Sequence, residues 1–534
     1  MSKFSHAASS RSTAALDVFL NNELGRAYRR DPRTTLATMA GSCLVDEPLF
    51  YGDTSQRVRI LIQWSAGEYP EWTVKLAVFL REELHLRSIS HLVLACAATV
   101  PAARPFVEKA FSRVATRPDD MLEIAALLKD ERHMLARALP AVVRRSIRRK
   151  LDGLSELHAI KYRKEGTFGL KHLIRMCHPK PSSPRSSFLL RYAQDARAWR
   201  TLEEKSRPEY PMISAMESLA CDRTLEPALL ERCARAGLPW EMVVPHFGSR
   251  KEVWTALAPQ LPIMALLRNL RNLHECRALA DPSVREAVRG KMTHPEVVKS
   301  SKLMPFRWLS AYNVVRPLDP EVAEWAAVGL GHSVENLPRL PGTTIFACDN
   351  SGSMLCPVSR FSDVIAKDIG SLFGAAAERI CERSLVFVFA CTSAVVSFHG
   401  AQDILSRARE IANTDVGGST NAYLVLQDLI RLQLPADRIL FFTDMQIYGP
   451  HRGFPGEYPE EDFTNLLRTY RQDVSPAVRT YIFNLQPYEH FMTPADEHGV
   501  SYFSGWNENL LRYVAADSGA GGVSMVDEIA GITL

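Results

Sequence analysis

The amino-acid sequence predicts a multidomain protein, in which an all-α domain of helical repeats precedes an α/β domain with a doubly wound sheet. At 534 residues the chain is too long for one hydrophobic core. Apolar residues recur at three- and four-residue spacings from about Ala14 to Trp325, which is typical of helices. Beyond that region, short apolar runs alternate with helical stretches, which is typical of a parallel sheet covered on both faces.

The helical domain is expected to span residues 14–335, after a flexible Ser- and Ala-rich tail at 1–13. Repeated helical pairs favour an α-solenoid, although no repeat period is evident. In the segment Val142–Leu157, apolar residues form one stripe and the arginines and a lysine crowd the other side. We interpret the stripe as facing the core and the basic residues as a solvated surface.

The boundary between the domains is predicted at Glu335–Gly342, which carries two prolines and a glycine. The α/β domain is expected to span residues 340–534. Its predicted elements are the strands Thr343–Asp349, Leu385–Phe389 and Arg438–Phe442 and the helices Asp363–Ile380 and Ala422–Leu432.

The charge is divided unevenly between the two domains. Residues 1–339 hold 51 Lys and Arg against 37 Asp and Glu, whereas residues 340–534 hold 13 against 23. A basic first domain favours a polyanionic partner, and an acidic second domain favours a metal ion. Ordinary solvated faces are the alternative interpretation.

Composition also argues against several protein classes. No segment approaches the roughly eighteen consecutive apolar residues of a membrane span, and the N-terminus does not resemble a signal peptide. We therefore expect a cytoplasmic protein without a membrane partner. The ten cysteines include no C-x-x-C pair, which indicates reduced thiols and argues against structural zinc or disulfides.

The strongest local motif is the sequence Asp349-Asn350-Ser351-Gly352-Ser353, which follows the first predicted strand. Its carboxylate and two hydroxyls offer three oxygen ligands, which suit Mg²⁺ or Mn²⁺ better than zinc. In α/β sheets, ligands bind at the carboxyl ends of the strands. Two later strand ends offer further oxygen donors, in Gly417–Asn421 and in Thr443-Asp444.

These loops together resemble the metal-ion-dependent adhesion site of a von Willebrand factor A domain, which has a Rossmann-like fold. The resemblance implies a metal held by Asp349, Ser351, Ser353, Thr420 and Asp444. Family members have Gly-Gly-Thr in the second loop, whereas this chain has Ser419 between the glycines and Thr420, so either hydroxyl is a candidate. In the family, an acidic side chain or phosphate of a partner completes the coordination.

An enzyme is the rival interpretation of the same motif. Haloacid-dehalogenase phosphatases also begin with an aspartate after a strand, but they need a second aspartate where this chain has Ser351. Signatures of P-loop NTPases, α/β-hydrolases and zinc metalloproteases are missing from the sequence. We therefore expect no catalytic residues.

Six stretches of the helical region carry a second resemblance. They are Phe50–Asp53, Leu80–Arg87, Lys161-Tyr162 leading to His178, Val253-Trp254, Leu266–Leu270 and Val298–Phe306. In this order they resemble the TROVE module of the Ro autoantigen ribonucleoproteins. A TROVE module followed by a von Willebrand A domain is the architecture of Ro and its bacterial relative Rsr.

This resemblance implies a closed ring of HEAT-like helical repeats, with the A domain joining its ends, in a monomeric protein. It also implies that the basic ring holds single-stranded 3′ ends of misfolded or small non-coding RNA, with Y RNA on the outer face. Such a protein is a non-catalytic scaffold in RNA quality control, or it tethers an RNA-processing enzyme. The alternative is a metal-dependent interaction module that captures an acidic protein partner.

The resemblance also implies contacts to RNA at particular positions. Family members bind Y RNA through a lysine before a tyrosine, a basic residue four positions later and a histidine, which here are Lys161, Glu165 and His178. An acid at 165 would repel phosphate, so Arg163 or Lys164 is expected to take that role. Without the resemblance, His178 is best interpreted as a helix-end residue. Trp254 and Trp308 are predicted to pack in the core.

Overall fold

The computed structural model describes most of the chain. The described residues are 18–20, 26–28, 31–42, 54–129, 138–163, 168–221, 225–358, 364–398, 402–446, 462–486, 491–494, 497–505, 510–516 and 525–534. The predicted tail at 1–13, the segment Phe50–Asp53, Lys164 and Glu165 lie outside them.

A short hairpin precedes the helices, in a region where the sequence pattern predicted helix. Strands β1 (Val18–Leu20) and β2 (Arg26–Tyr28) pair antiparallel. Tyr28 also pairs with Phe491, whose backbone oxygen accepts from the Tyr28 N–H at 3.1 Å. The beginning of the described chain is thus tied to a residue near its other end.

The helical region consists of short helices joined by tight turns. In chain order they are α1 Pro32–Ser42, α2 Thr54–Glu68, α3 Pro70–Glu82, α4 Arg87–Thr99, α5 Arg104–Val114, α6 Pro118–Lys129, α7 Ala141–Asp152, α8 Glu156–Lys161, α9 Leu170–Cys177, α10 Pro184–Gln194, α11 Pro211–Cys221, α12 Pro227–Arg235, α13 Trp240–Phe247, α14 Lys251–Leu257, α15 Ile263–Glu275, α16 Pro282–Thr293, α17 Pro295–Ser300, α18 Pro305–Val315 and α19 Pro320–Ser333.

Many of these helices begin at a proline. Proline lacks the N–H that the first helical turn leaves unbonded, and its φ already suits a helix. In α10, α16 and α19, the residue before the proline is Ser183, Asp281 or Asp319, whose side chain accepts a backbone N–H of the first turn. The prolines therefore start the helices of this region as well as separating them.

The predicted helix over Val142–Leu157 is divided in two by the structure. Helix α7 ends at Asp152, and α8 begins at Glu156 with Ser155 as its cap. Gly153 caps the end of α7, and its N–H donates to the Lys150 carbonyl at 3.2 Å. The apolar stripe is buried as predicted, and it includes Leu154 in the turn between the helices.

The second region is an α/β domain. Its strands are β3 Leu340–Asp349, β4 Cys381–Phe389, β5 Ser393–Val396, β6 Arg438–Thr443, β7 Arg479–Asn484 and β8 Val500–Ser504, and its helices are α20 Ala366–Ile380, α21 Ile404–Asn413, α22 Tyr423–Arg431, α23 Phe463–Asp473, α24 Leu510–Ala516 and α25 Met525–Gly531. The strand order is β5-β4-β3-β6-β7-β8.

The sheet is parallel as predicted, except at one edge. Strand β5 pairs antiparallel with β4, because only three residues separate the two strands and a parallel connection needs a long crossover. The other neighbouring strands pair in parallel. The doubly wound arrangement places β3 between β4 and β6, in the middle of the sheet.

Helices cover both faces of this sheet. Adjacent residues of β6 point to opposite faces: Phe442 stacks 5.0 Å from Phe373 of α20, and Phe441 lies 5.1 Å from Phe463 of α23. The α20 face is continuous with the core of the helical region, whereas the α22 and α23 face forms a separate core. One face of the sheet is therefore the attachment surface for the helical region.

Both ends of the helical region contact the α/β domain. At the late end, Phe306 of α18 lies 5.4 Å from Phe373, and Arg409 of α21 donates to the Tyr312 hydroxyl. At the early end, the Trp72 indole N–H of α3 donates to the Val526 carbonyl at 3.0 Å. The chain thus closes into a ring in which the α/β domain joins the two ends.

Two further structural features bear on the sequence predictions. Among the described residues no single helix is long and apolar enough to cross a membrane. Only the pair Arg87–Thr99 and Pro101–Val114 reaches that length and composition, with a bend of 111° between its parts. The described cysteines are all free thiols.

Candidate metal centre and nucleic-acid interface

The Asp-x-Ser-x-Ser motif lies at the carboxyl end of the central strand β3. The backbone of Asn350, just past the strand, donates to the Phe389 carbonyl at the end of β4 at 2.9 Å. On the other side, the Thr443 hydroxyl of β6 donates to Asp349 Oδ2 at 2.6 Å. The loop therefore occupies the position where the sheet changes winding direction, at which α/β folds commonly bind ligands.

Two carboxylates are buried at this position. Asp349 is 2% exposed, and Asp444, directly after β6, is fully buried. The Asp349 Oδ1 accepts the Ser351 N–H at 2.9 Å, and the Asp444 Oδ1 accepts the Gln446 N–H at 3.1 Å. These bonds fix both side chains within the loops that follow β3 and β6.

The two carboxylates affect each other electrostatically. Burial, followed by the negative charge of Asp444, raises the pKa of Asp349 well above its usual range. Hydrogen bonds from Ser351 and Thr443 oppose this shift without cancelling it. A cation bound between the carboxylates would reverse the balance and keep both of them ionised.

The two serines of the motif lie beside the carboxylate. The Ser351 Oγ and Ser353 Oγ atoms are 3.3 Å apart, and Ser351 is 1% exposed. Ser353 is half-buried. The hydroxyls thus form a close pair beside Asp349, and only that of Ser353 belongs to a partly exposed residue.

The second predicted loop, Gly417–Asn421, lies between α21 and α22 and not at a strand end as predicted, but it packs directly against the first. The Gly352 N–H donates to the Gly418 carbonyl at 3.0 Å, which joins the two loops. Next to this contact, the Ser419 Oγ lies 3.1 Å from the Cys391 Sγ, whereas Thr420 is 3% exposed. The two candidate hydroxyls therefore differ, because that of Ser419 is already bonded to a thiol.

A glycine at 417 is needed for this packing. Gly417 has a φ of +87°, and a Cβ at this position would lie 2.5 Å from the Cys391 Sγ. Any larger residue would push the loop away from the end of β4. Gly417 thus lets the second loop lie against Cys391 at the sheet edge.

The donor set suits a hard cation. Within the described part of the chain, no three His, Cys, Asp and Glu side chains cluster as a metal site. Two carboxylates with neighbouring hydroxyls are oxygen donors throughout, which fits Mg²⁺ or Mn²⁺ and does not fit zinc. The residues present are therefore compatible with the predicted ion.

Lys161 lies at the end of α8, and it is engaged with an acid. Its Nζ is 3.1 Å from Glu241 Oε1 of α13, and about a third of each side chain is exposed. The same Nζ lies 5.9 Å from the centre of the Tyr162 ring. Lys164, the other predicted basic contact, lies outside the described residues.

His178 is exposed at the end of α9, which confirms the interpretation as a helix-end residue. Its φ is +48°, and its N–H donates to the Ile174 carbonyl at 2.9 Å. The Arg148 Nε of α7 donates to the Cys177 carbonyl at 2.8 Å. An arginine therefore stands next to the predicted RNA-binding histidine.

The arginines of α7 are divided into two groups, which the sequence interpretation missed. Arg145 and Arg149 both contact Glu108 of α5, at 2.8 and 3.3 Å. Arg148 instead donates to the Cys177 carbonyl beside His178, and Arg144, one helical turn earlier on the same face, is exposed. The only signal in the sequence is the spacing within Arg144–Lys150, since the neighbours of each arginine come from distant segments.

Both predicted core tryptophans are buried. Trp254 and Trp308 are fully shielded from solvent. The Trp254 indole N–H donates to the Ser249 hydroxyl at 2.8 Å. Their predicted role in core packing is confirmed.

Comparison with known proteins places the helical region in a defined group. The TROVE domain model matches residues 29–232 and 233–328. Telomerase protein component 1 of Mus musculus is 26% identical over 307 residues, and that of Rattus norvegicus is 26% identical over 312 residues. Each alignment covers 48% of this chain, and the chain spans only 12% of the length of either relative.

A solved structure is similar over nearly the whole chain. The crystal structure of the Deinococcus radiodurans RO (RSR) protein aligns with a TM-score of 0.65 and 19% sequence identity. The alignment covers 91% of this chain and 99% of that one. The shared fold therefore includes both the helical region and the α/β domain.

Proposed function

Because the chain belongs to the TROVE-domain family, we propose that it is an RNA-binding protein that holds single-stranded 3′ ends in its helical ring. Its ligands are misfolded or small non-coding RNAs, including Y RNA on the outer face. It acts as a non-catalytic scaffold in RNA quality control or processing. The family, the basic charge of residues 1–339 and the closed arrangement of helices support this function.

The geometric observation that carries the proposal is the basic cluster formed by Arg144, Arg148 and His178. The two arginines lie on one face of α7, and Arg148 contacts the last turn of α9 beside His178. Guanidinium groups bind phosphate through paired N–H donors, and an exposed imidazole adds a further donor. Lys161, which is paired with Glu241 in this structure, is a further phosphate contact when phosphate replaces that partner.

The test of end capture compares a linear single-stranded RNA with the same RNA circularised. A closed ring accepts only a free end, so we expect the circular form to bind much more weakly. The affinity for the linear form should also fall with salt, by about 0.7 log units per log unit of salt for each phosphate contact. Equal affinity for the two forms would refute the capture of ends.

A matched pair of double variants tests the basic cluster. R144A with R148A removes the group beside His178, whereas R145A with R149A removes the group that contacts Glu108. The slope of log affinity against log salt concentration reports the number of phosphate contacts. We expect the first double variant to reduce this slope by the equivalent of about one to two contacts, and the second to leave it unchanged. Melting curves establish that both variants are folded. Equal losses would place the phosphate contacts elsewhere.

For the α/β domain we propose a divalent metal site for Mg²⁺ or Mn²⁺. The proposed ligands are Asp349, Ser351, Ser353, Thr420 and Asp444. A bound ion would supply positive charge, and one of its coordination positions would stay open for an oxygen of a partner. We assign the hydroxyl of the second loop to Thr420, since that of Ser419 is bonded to Cys391. The buried, mutually repelling carboxylates support this proposal.

Titration with Mn²⁺ followed by electron paramagnetic resonance tests the metal site. Asp349→Ala should abolish binding, Thr420→Ala should weaken it, and Ser419→Ala should leave it nearly unchanged. RNA affinity should stay the same in each variant, since the basic cluster lies in the helical region. A larger loss in Ser419→Ala than in Thr420→Ala would reverse the assignment of the second loop.

The second candidate function is a metal-dependent module that captures an acidic protein. The observation that favours it is the pair of hydroxyls beside Asp349, where a partner's carboxylate could reach the metal. RNA affinity distinguishes the two functions. Negligible RNA binding at low salt would favour the protein-interaction module.

A further inference from the structure

A groove opens on the helical region, away from the basic cluster described above. It has a volume of about 580 Å³ and lies between α12 and α14. Helix α12 contributes Pro227, Leu230, Glu231 and Ala234, which are spaced at i, i+3, i+4 and i+7 and so share one face. The opposite wall and the ends are formed by Leu225, Lys251, Glu252, Thr255, Ala256, Leu257, Gln260 and Asp281.

The floor of the groove is apolar, and the walls that face each other above it carry small residues. Leu230 and Leu257 are both 6% exposed and form its base. Ala234 and Ala256 line the upper walls and are half-buried. Because alanine side chains are short, the space between the helices is left for side chains of another molecule.

The rim of the groove is acidic, although the surrounding domain is basic. Three carboxylates, those of Glu231, Glu252 and Asp281, line it together with the ammonium group of Lys251. Glu231 is also paired with Arg235 of the same helix at 3.2 Å, which leaves the rim with a small excess of acid. Hydrogen bonds from Ser283 lower the pKa of Asp281, which therefore stays ionised. A rim of this charge repels RNA phosphate and attracts cations.

One wall also carries a hydroxyl without an internal partner. The Thr255 Oγ1 is shielded from solvent and makes no hydrogen bond within the described part of the chain. A threonine in a helix usually donates to the carbonyl four residues earlier. Because this oxygen is shielded from solvent, it is not offered to a molecule in the groove, and Thr255 lines the wall through its other atoms.

We propose that this groove docks a short amphipathic helix of a partner protein, with an apolar face flanked by lysine or arginine. The nine residues of α12 span about 13 Å, which matches about two and a half turns of a bound helix. Apolar side chains at i, i+3 or i+4, and i+7 fit over Ala234 and Ala256. Basic flanking residues pair with Glu252, and with Glu231 where they replace Arg235 as its partner.

This docking site is a function in addition to RNA binding, and it prefers a partner of the opposite charge to the one proposed for the metal site. The metal site takes an acidic partner, whereas the groove takes a basic one. Since the groove and the basic cluster use different residues, the two activities are separable. The chain is thereby able to hold a protein and an RNA at once.

The test uses the full chain and a displayed library of peptides of about 16 residues. All peptides carry apolar residues at i, i+3, i+4 and i+7, and their flanking positions vary freely. We expect selection on the wild-type chain to enrich Lys and Arg at the flanks. No enrichment, or enrichment of acidic flanks, would overturn the proposal.

Variants then locate the binding of an enriched peptide. Ala256→Trp fills the groove and should abolish binding, and Glu252→Lys should weaken it at least tenfold. Glu296→Lys makes the same charge change at an exposed residue outside the groove and should have no effect. Binding that survives Ala256→Trp, or that Glu296→Lys weakens equally, would overturn the proposal.

Two measurements keep this test independent of folding and of RNA. Ala234→Trp fills the groove from the other wall and should give the same loss, while melting curves establish that each variant is folded. RNA affinity should stay within twofold of wild type in all of them. A parallel loss of RNA affinity would show that the groove belongs to the RNA site instead.

Discussion

Two buried aspartate sites, one in each half of the protein, place the same carboxyl group in opposite surroundings. Asp120 of α6 is fully buried, with the Arg87 Nε 2.7 Å and the His91 Nε2 3.4 Å from its Oδ1. Burial alone would raise the pKa of Asp120, but contacts with His91, the Arg117 N–H and Arg87 outweigh it. They hold the pKa well below its usual range.

Asp349 of the α/β domain is equally buried, but its neighbours are different. It accepts hydrogen bonds from Ser351 and Thr443, which are neutral, and a second carboxylate, that of Asp444, acts on it. The helical region therefore neutralises its buried acid with its own cations and uses it to hold α4 to α6. The hydrogen-bond donors to Asp349 are neutral and a second carboxylate acts on it, so a bound cation would stabilise its charge.

The largest expected effect is a difference in stability between two variants of the metal-free protein, in which either Asp120 or Asp349 is replaced by asparagine. Asp120→Asn removes the buried charge that Arg81, Arg87 and His91 share. Asp119 still pairs with Arg87 and Glu123 with His91, so we expect a loss of stability of about 3 kcal/mol, at the lower end for a broken buried ion pair. Asp349→Asn loses one hydrogen bond but relieves the repulsion from Asp444, so the loss should not exceed about 1 kcal/mol. Thermal melting measures both. Equal losses would mean that the two sites are not different in kind.

The second effect is the response to Mg²⁺. A site that binds the ion only when folded gains about 2.7 kcal/mol at a hundredfold excess over Kd. We expect wild type and Asp120→Asn to gain this increment in melting experiments, and Asp349→Asn to gain none. Potassium chloride at matched ionic strength is the control. Stabilisation of Asp349→Asn by Mg²⁺ would place the ion elsewhere.

The smallest effect is the pH dependence. A raised pKa means that folded Asp349 binds a proton more tightly than the unfolded chain, so its contribution to stability is lost as the pH rises. The loss of stability begins above about pH 3.9, which is the pKa of an aspartate in the unfolded chain, and it continues until the pH passes the raised pKa of the folded state. The stability falls by at most about 1.4 kcal/mol per pH unit. The lowered pKa of Asp120 acts oppositely, so its contribution is lost as the pH falls.

The difference in stability between wild type and Asp349→Asn isolates this effect, because Asp120 and the histidines are common to both. Without metal, wild type should lose stability relative to the variant between about pH 5 and pH 7. Saturating Mg²⁺ should remove the trend, since the cation holds the carboxylate ionised. A constant difference across this range would contradict the raised pKa.

The positions of Asp349 and Asp444 could be predicted closely from sequence because each residue lies at the end of a strand or directly after one, whereas Gly417–Asn421 follows α21 and not a strand as predicted. The apolar run before Asp349 and that before Asp444 indicate strands, and parallel strands bring their carboxyl ends to one edge. The choice between Ser419 and Thr420 could not be predicted. It depends on Cys391, which lies at the end of a different strand.

The residues of the proposed basic cluster were less predictable. Arg148 and Arg149 are adjacent in the sequence and equally basic, yet one contacts the end of α9 and the other contacts Glu108 of α5. A helical pattern indicates which side of α7 is buried but not which helices pack beside its exposed side. The interpretation of all these arginines as a solvated surface was therefore incomplete.

By itself, the sequence determined the helical and α/β classes, the place where one follows the other and the loops that carry the acidic and hydroxyl groups. Those properties follow from periodicities and motifs within a few consecutive residues. Only the tertiary structure decided that Trp72 contacts Val526 and so closes the ring, and that the arginines of α7 contact two different helices. It also decided that α12 and α14 leave a groove between them. These depend on contacts between residues far apart in the chain, whose partners no local pattern specifies.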